Sequence, residues 1–256
     1  MKYIFNLLII VCFSVSSFAQ DNLDATDHEV ATWQFRSISE KDLNNFLYNE
    51  DNIYRKKAAA AIKEGKLRHW GLLRKVNGRV KDSPNFFFYN GFNKITDLDD
   101  SSIWSSGSNF GLRQVKSSGV IGSVHTTPDI QVFPDKPKPG NYIVVNYANP
   151  SDVGKFVQLQ NEVWNPFIQK YVNDPNSSWA GWEVHRVLRP TGNGYNWNIA
   201  TIDHFSTLSG AVNPFPNGAE WPEGLEQIND LLPNGKFYKS VIYEVLFYEG
   251  PDGASK

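Results

Sequence analysis

The alternation of apolar and polar residues predicts two stretches of chain with the same order of elements. Residues 142–208 have the pattern of a strand, an amphipathic helix and two further strands joined by a turn, and residues 33–98 have the same order. In both predicted helices the apolar side chains recur every three or four residues, which places them on one face. We therefore expect a chain built from two similar halves.

Four pairs of identical residues stand 112 positions apart and fall on matching elements. They are Ser39 and Ser151, Glu50 and Glu162, Trp70 and Trp182, and Arg74 and Arg186. The serines predict helix caps, and the arginines are expected to pair with the two glutamates.

Each half continues with a weaker helical stretch and a last strand, which completes the βαββαβ order of a ferredoxin-like unit. Residues 133–140 contain three prolines and a glycine, and they predict a stiff linker. We expect a first repeat over residues 21–132, a second over residues 141–250, and an α+β fold class.

A resemblance to a known superfamily follows from this order. Gly181 and Trp182 begin a strand, and the last strand has the sequence VIYEVLFYE. With the element order, these features resemble the dimeric α/β-barrel superfamily, with both repeats fused in one chain. The resemblance implies two sheets that face each other as an intrachain barrel. Members include monooxygenases, lactone isomerases and haem-dependent enzymes, so the fold alone does not select a function.

The resemblance also bears on cofactors. In haem-binding barrels of this kind the proximal histidine is on a helix, and neither predicted helical stripe here contains a histidine. We therefore expect no cofactor.

The first 20 residues predict a secretory signal peptide. Lys2 precedes an apolar run over residues 4–13, which is too short to span a bilayer, and small residues follow near Ala19. We expect export by the Sec route to the periplasm or beyond, without stable membrane insertion after signal removal. An uncleaved membrane anchor, or a lipoprotein acylated at Cys12, are the alternatives.

Composition narrows the partners. The chain has 25 Lys and Arg against 27 Asp and Glu, which gives no basic patch for a nucleic acid. Its single cysteine, Cys12, lies in the predicted signal, so the mature chain has no disulfide and no cysteine ligand for a metal. We expect a small-molecule or oligosaccharide substrate, and leave open whether the barrel oligomerises.

Strand alternation selects candidate site residues. If Leu188 pairs with Tyr195 across the turn, His185 lies opposite Asn198. The face that looks into the barrel then carries Glu183, His185, Asn198, Ala200 and His204, whereas Trp197 faces the helices. In the first half the inward set is Gly71, Leu73, Lys75, Phe86 and Phe88.

These residues suggest acid–base chemistry. His185 is the predicted base and His204 the predicted acid, with Glu183 orienting a histidine or acting as base itself. Two histidines and a carboxylate on one face would also suit a metal, but no metal-ligand spacing supports that, so no metal is expected. Strand histidines are also often simply hydrogen-bonded core residues.

The predicted substrate contacts complete a function. Asn198 and Lys75 would bind a carboxylate, Phe86 and Phe88 would form a stacking wall, and Tyr147 would stack or donate a proton. Given export, the sequence leads us to expect a cofactor-independent lyase or dehydratase that eliminates from an acidic sugar or oligosaccharide. The alternatives are a non-catalytic periplasmic binding module and a cofactor-free monooxygenase acting on an aromatic substrate.

Overall fold

The structure is a computed structural model. It describes residues 28–76, 84–100, 102–105, 110–116, 119–134, 138, 140–191, 196–215, 219–251 and 253–255. The predicted signal peptide and part of the predicted linker lie outside the described residues. Within the linker, Lys138 Nζ donates hydrogen bonds to the backbone carbonyls of Val172 (3.0 Å) and Asp174 (2.5 Å).

Eight antiparallel strands form a closed barrel. The strands are β1 (Val30–Ser37), β2 (His69–Lys75), β3 (Phe86–Phe92), β4 (Gly119–Val132), β5 (Tyr142–Ala148), β6 (Trp179–Arg189), β7 (Ile199–Phe205) and β8 (Lys239–Gly250). Their order is β2-β3-β1-β4-β6-β7-β5-β8, and pairing of β2 with β8 closes the ring. A short strand, β9 (Gly253–Ser255), pairs with the end of β8. Closure removes the exposed sheet edges, and the expected α+β class and barrel are confirmed.

Helices cover the outside of the barrel. The first half has α1 (Glu40–Asn49), a π-helical segment (Glu50–Tyr54), α2 (Arg55–Lys63) and α3 (Ser102–Ser105). The second half has α4 (Val153–Leu159), a π-helical segment (Gln160–Trp164), α5 (Asn165–Asn173), α6 (Leu208–Val212) and α7 (Leu225–Asp230). Short 3₁₀ turns are at Ile95–Asp99 and Pro233–Gly235. The predicted long helices are therefore each interrupted by one π-helical segment.

Ser151 does not cap the second helix as predicted. Asp152 is the capping residue, and its carboxylate accepts a hydrogen bond from the backbone N–H of Lys155 at 2.9 Å. Ser39 does occupy the cap position of α1, but its side chain makes no capping hydrogen bond.

Aromatic side chains fill the barrel interior. Trp33 contacts Phe87 and Trp197 with ring centroids 5.3 and 5.9 Å apart, and Trp197 contacts Tyr147 at 4.8 Å. Separate apolar clusters lie between the sheet and the helices of each half. The prediction that Trp197 faces the helices is therefore wrong.

The hairpin register differs from the predicted one by two residues. His185 pairs with Ala200, and the backbone N–H of Val187 donates to the carbonyl of Asn198. A shift of two preserves the faces of the residues that pair within β6 and β7, because strand side chains alternate with a period of two. Glu183, His185 and His204 consequently share the inner face despite the wrong register.

The predicted inward positions of Phe86 and Phe88 are wrong. Phe87 pairs with Leu73 and lies in the barrel core, whereas Phe86 and Phe88 pack under the helices. Three consecutive phenylalanines carry no alternation of their own, so only pairing with β1 and β2 decides which of them points inward.

The two matched arginines tie the halves together. Arg74 forms an ion pair with Glu244 at 2.6 Å, across the β2–β8 contact. Arg186 pairs with Asp129 at 2.9 Å, on the other strand contact between the halves. The predicted pairing of these arginines with Glu50 and Glu162 is therefore wrong.

Candidate functional site

Three predicted site residues form one hydrogen-bonded cluster inside the barrel. Glu183 accepts from His185 Nε2 at Oε2 (2.9 Å) and from His204 Nε2 at Oε1 (2.7 Å). Gln131 Nε2 also donates to Oε2 at 3.0 Å. His185 is fully buried, while the His204 side chain is 21% exposed.

The cluster keeps Glu183 ionised. Burial alone would raise the pKa of Glu183, but the hydrogen bonds and charges of His185 and His204 hold that pKa well below its usual range. Both carboxylate oxygens already accept imidazole N–H groups, so Glu183 is a structural anchor for the two rings.

The remaining predicted residues are not brought to this cluster. Tyr147 is buried with its hydroxyl 3.4 Å from that of Tyr243, and Lys75 is the backbone partner of Tyr243. Stacked Trp33 and Trp197 lie between His185 and Tyr147. The Oδ1 atom of Asn198 is buried and has no hydrogen-bond partner among the described residues. The predicted residues therefore do not line one common pocket.

A cavity of about 490 Å³ lies elsewhere, between the first half of the sheet and the helical stretch that covers it. Strand residues form its floor: Thr32, Gln34, Arg36, Trp70, Phe88, Asn90, Phe92 and His125. Glu50 and Tyr54 from the π-helical segment, with Leu98, Asp100, Ile103 and Trp104, form the opposite wall. A concave site that combines aromatic rings with convergent polar groups is typical of small-molecule binding.

Glu50 is the unusual group in this cavity. Glu50 is only 4% exposed. Its carboxyl makes no hydrogen bond or ion pair with any described residue. Burial raises the pKa of Glu50 to about 8, against the opposing charge of Arg36. At neutral pH Glu50 is therefore mainly a protonated acid that can donate a hydrogen bond into the cavity.

Arg36 supplies positive charge to the floor. Its Nε donates to Gln34 Oε1 at 2.7 Å, and its guanidinium lies 4.8 Å from the centroid of the Phe88 ring. Among the described residues no carboxylate forms an ion pair with Arg36.

His125 provides a neutral imidazole. Its Nδ1 forms a hydrogen bond with Thr32 Oγ1 at 3.0 Å, and burial lowers the pKa of His125 below its usual value. Asn90 Nδ2, 3.4 Å from the carbonyl of Thr32, adds a polar group beside it. The floor of the cavity thus carries a base, His125, and a guanidinium, Arg36, while the opposite wall carries an acid, Glu50.

The wall opposite the strands is held in place by a buried lysine. Lys57 Nζ donates to the backbone carbonyl of Trp104 at 3.0 Å and lies 5.9 Å from the Tyr54 ring centroid. The rings of Tyr54 and Trp104 meet edge to face at 6.5 Å. These contacts define an aromatic slot above the polar floor.

Glu50 was not among the predicted site residues, because the predicted site lay inside the barrel. A usable signal was present: Glu50 follows Phe46 by four residues and precedes Ile53 by three, so a carboxylate stands in the buried stripe of the helix. The π-helical segment that begins at Glu50 is a further feature often found at functional sites.

Aromatic side chains occupy the equivalent region of the second half. Aromatic residues pack between its sheet and helices, including Trp164, Phe167, Trp179 and Phe215. Gln160 begins the second π-helical segment, as Glu50 begins the first, and it too is buried.

Metal and haem fit the described residues poorly. In the described part of the chain no group of three His, Cys, Asp or Glu residues is placed to hold a metal ion. The five histidines, at positions 28, 69, 125, 185 and 204, lie on strands or just before β1, so none could serve as a helical haem ligand. In the part of the chain that the structure describes, no helix is long and apolar enough to cross a membrane.

Comparisons with solved structures identify the fold. A candidate monooxygenase from Fusobacterium nucleatum subsp. nucleatum has a TM-score of 0.56 at 11% identity, covering 90% of this chain and 98% of the other. One from Lactobacillus acidophilus NCFM gives 0.54 at 7% identity, covering 89% and 98%. An anthrone oxidase-like protein gives 0.52 at 12% identity, covering 88% and 94%. No protein-family model matches the sequence, and no curated protein does. The fold is that of the dimeric α/β barrels.

The predicted sugar lyase is wrong. The solved structures that share this fold are described as monooxygenase and anthrone oxidase-like proteins. The stacking wall required by the lyase is also missing, because Phe86 and Phe88 lie outside the barrel. Without that wall, the prediction of an oligosaccharide substrate has no structural support.

Proposed function

We propose that this chain is a cofactor-independent oxygenase that oxidises a planar aromatic small molecule in the cavity beneath residues 40–63. The observation that carries the proposal is Glu50, a buried carboxyl that has no hydrogen-bond partner among the described residues and faces a cavity lined partly by aromatic rings. The solved structures described as monooxygenases and as anthrone oxidase-like support the same class of chemistry.

Three polar residues of the cavity have roles in such a reaction. His125 takes a proton from a C–H group that is activated by conjugation with an aromatic ketone, as in the methylene group of anthrone. Glu50 donates a hydrogen bond to the ketone oxygen as it becomes an enolate, and Arg36 stabilises the negative charge. The carbanion then attacks dioxygen to form a hydroperoxide.

The reaction balances without an added reductant. The hydroperoxide loses water when its O–O bond breaks, and a C=O group replaces the original CH₂. One atom of dioxygen enters the product and the other leaves as water. The oxidation is therefore carried by the substrate's own electrons.

The proposal includes the organisation of the chain. Strand orders β2-β3-β1-β4 and β6-β7-β5-β8 are the same within residues 30–132 and 142–250, which supports two ferredoxin-like repeats joined by residues 133–140. In this arrangement the cavity lies within the first repeat. Export after removal of residues 1–20 remains part of the proposal and is testable by the N-terminal sequence of the secreted protein.

Anthrone is a suitable probe substrate. Purified protein should accelerate oxygen uptake and the formation of anthraquinone, with one oxygen atom derived from ¹⁸O₂, in the presence of a metal chelator. Glu50→Leu should abolish most of the acceleration, whereas Glu50→Gln should keep part of it, because the amide still donates a hydrogen bond. Glu162→Gln is the matched control, because Glu162 is exposed and only accepts from Gln158 Nε2.

Two results would decide against the oxygenase. Wild-type protein that oxidises anthrone no faster than buffer contradicts it for this substrate. Saturable binding of anthrone without oxygen uptake would instead identify a binding module.

A further inference from the structure

We infer that the cavity selects an aromatic acid, a planar ring system whose ionised oxygen binds at the place shared by Arg36 and Glu50. This inference rests on the proposed function for the site and specifies its substrate class. The ionised group can be a carboxylate or a phenolate or enolate oxygen, since all three present the same charge to a guanidinium.

The first step is the charge of the floor. Arg36 is partly buried, yet its only described side-chain hydrogen bond goes to the neutral amide of Gln34. A partly buried positive charge without a counterion among the described residues is unfavourable, and an anionic ligand would offset that cost. Its guanidinium NH₂ groups have no described partner, so they are available for a planar, two-pronged contact with an oxyanion.

The second step is the nature of Glu50. The Glu50 carboxyl interacts electrostatically with Arg36, but burial raises its pKa to about 8 and keeps it mainly protonated at neutral pH. A neutral carboxyl leaves the guanidinium uncompensated and adds a hydrogen-bond donor for the same oxyanion. The remaining charged groups are Lys57, held by the carbonyl of Trp104, and Asp100, whose carboxylate accepts from the Ser102 N–H.

The third step is the shape of the walls. Rings of Trp70, Phe88 and Trp104 line the cavity, and Phe88 also carries the Arg36 guanidinium on its face. A volume near 490 Å³ lies in the range of sites for ligands of two or three fused rings. A flat ring system can lie against these walls while its acidic edge reaches Arg36.

Binding of two isosteric ligand pairs tests the inference. Isothermal titration calorimetry would compare 2-naphthoate with uncharged 2-naphthamide, and 4-nitro-1-naphtholate with its methyl ether. We expect the wild-type protein to bind at least one anion about tenfold or more tightly than its neutral partner. The two pairs distinguish a carboxylate from a phenolate.

Variants assign the preference to Arg36. Arg36→Gln should remove the preference for the anion, and Arg36→Lys should keep part of it. Arg113→Gln is the control, because Arg113 is exposed and lies over the Tyr48 ring. Glu50→Gln keeps a neutral hydrogen-bond donor and should retain the preference.

The outcomes separate this inference from the proposed function. Equal affinities within both pairs, or an unchanged preference in Arg36→Gln, would overturn it even if anthrone is oxidised. If Arg36→Gln does not fold, Arg36→Lys takes its place. An unchanged preference for the anion in Arg36→Lys, together with wild-type affinities for the anion that are equal at high and low salt, would overturn the inference. The naphthalene ligands cannot be oxidised in the proposed way, so a failure of anthrone oxidation leaves the binding result intact.

Discussion

Glu50 and Gln160 each begin a π-helical segment, and both are buried against the sheet of their own half. Glu50 faces an open cavity, whereas Gln160 lies in the half that aromatic side chains have filled, with its Oε1 atom lacking a partner. The sequence alignment at a constant spacing matched Glu50 with Glu162 instead. At a constant spacing of 112 residues the second π-helical segment would begin at Glu162. It begins two residues earlier, at Gln160.

The pH dependence of activity should follow Glu50. The proposed oxidation needs Glu50 protonated, so the rate should fall as pH rises through about 8, the value to which burial raises its pKa. Protonation of His125, whose pKa is lowered by burial, should reduce the rate at acidic pH. Arg36, Lys57 and Asp100 are the other charged groups near this region. Steady-state oxygen uptake across pH 5–10 measures the profile.

The Glu50→Gln variant tests the alkaline limb. Any residual activity should no longer fall through pH 8, because the amide does not ionise. An unchanged alkaline limb in this variant would assign the titration to another group.

Asp203→Asn should stabilise the protein at neutral and alkaline pH. Burial raises the pKa of Asp203 from 3.8 to about 7, opposed by a hydrogen bond from Asn146 Nδ2 at 2.8 Å. The folded state therefore binds a proton that the unfolded state has lost, and wild-type stability declines as pH rises from about 4 to 7. Asparagine mimics the protonated acid, so we expect a gain of roughly 1–2 kcal/mol above pH 7 and none near pH 4.

Urea denaturation at pH 4 and pH 8 measures that difference. Asp174→Asn is a matched control at an exposed aspartate. An equal effect of Asp203→Asn at both pH values would contradict the titration of Asp203.

Glu183→Gln should destabilise the barrel at neutral pH. A glutamine offers one acceptor oxygen, so His185 and His204 cannot both keep their hydrogen bonds, and breaking a buried charged cluster costs about 3 kcal/mol. Because the folded pKa of Glu183 is lowered, its stabilisation is present above its ordinary value of 4.5 and is lost as pH falls. Thermal unfolding should show a large gap between variant and wild type at pH 7 that narrows towards pH 3.

A gap that stays constant with pH would indicate that lost packing, and not charge, explains the variant. The same variant should keep the anion preference of the cavity, since Glu183 lies on the inner face of the barrel and the cavity lies outside it.

Lys57→Met should weaken substrate binding more than turnover. The Lys57 ammonium holds the Trp104 carbonyl at 3.0 Å, while methionine preserves most of the buried side-chain volume. Loss of this bond should loosen the wall that carries Ile103 and Trp104 and raise KM several-fold with a smaller change in kcat. Lys63→Met, on the last turn of the same helix, is the comparison variant. A fall in kcat alone would contradict a positioning role.

Much of the fold could be predicted from local pattern. Apolar residues every three or four positions located both long helices, and alternation located most strands, because these periods are set by helix and strand geometry within one segment. The spacing of Glu183 and His185 by two placed them on one face, and the hairpin brought His204 to the same side even with the register wrong by two.

Tertiary pairing decided what local pattern could not. The triple phenylalanine at 86–88 points Phe87 inward only because β3 pairs with β1 and β2 in one particular register. The location of the cavity depends on how completely each helix layer fills the space above its sheet, which is a property of volumes contributed by distant segments. The sequence by itself determined the elements, their order and the buried stripe that contains Glu50, while only the packed structure showed that this stripe borders a cavity, with Arg36 and His125 on its floor.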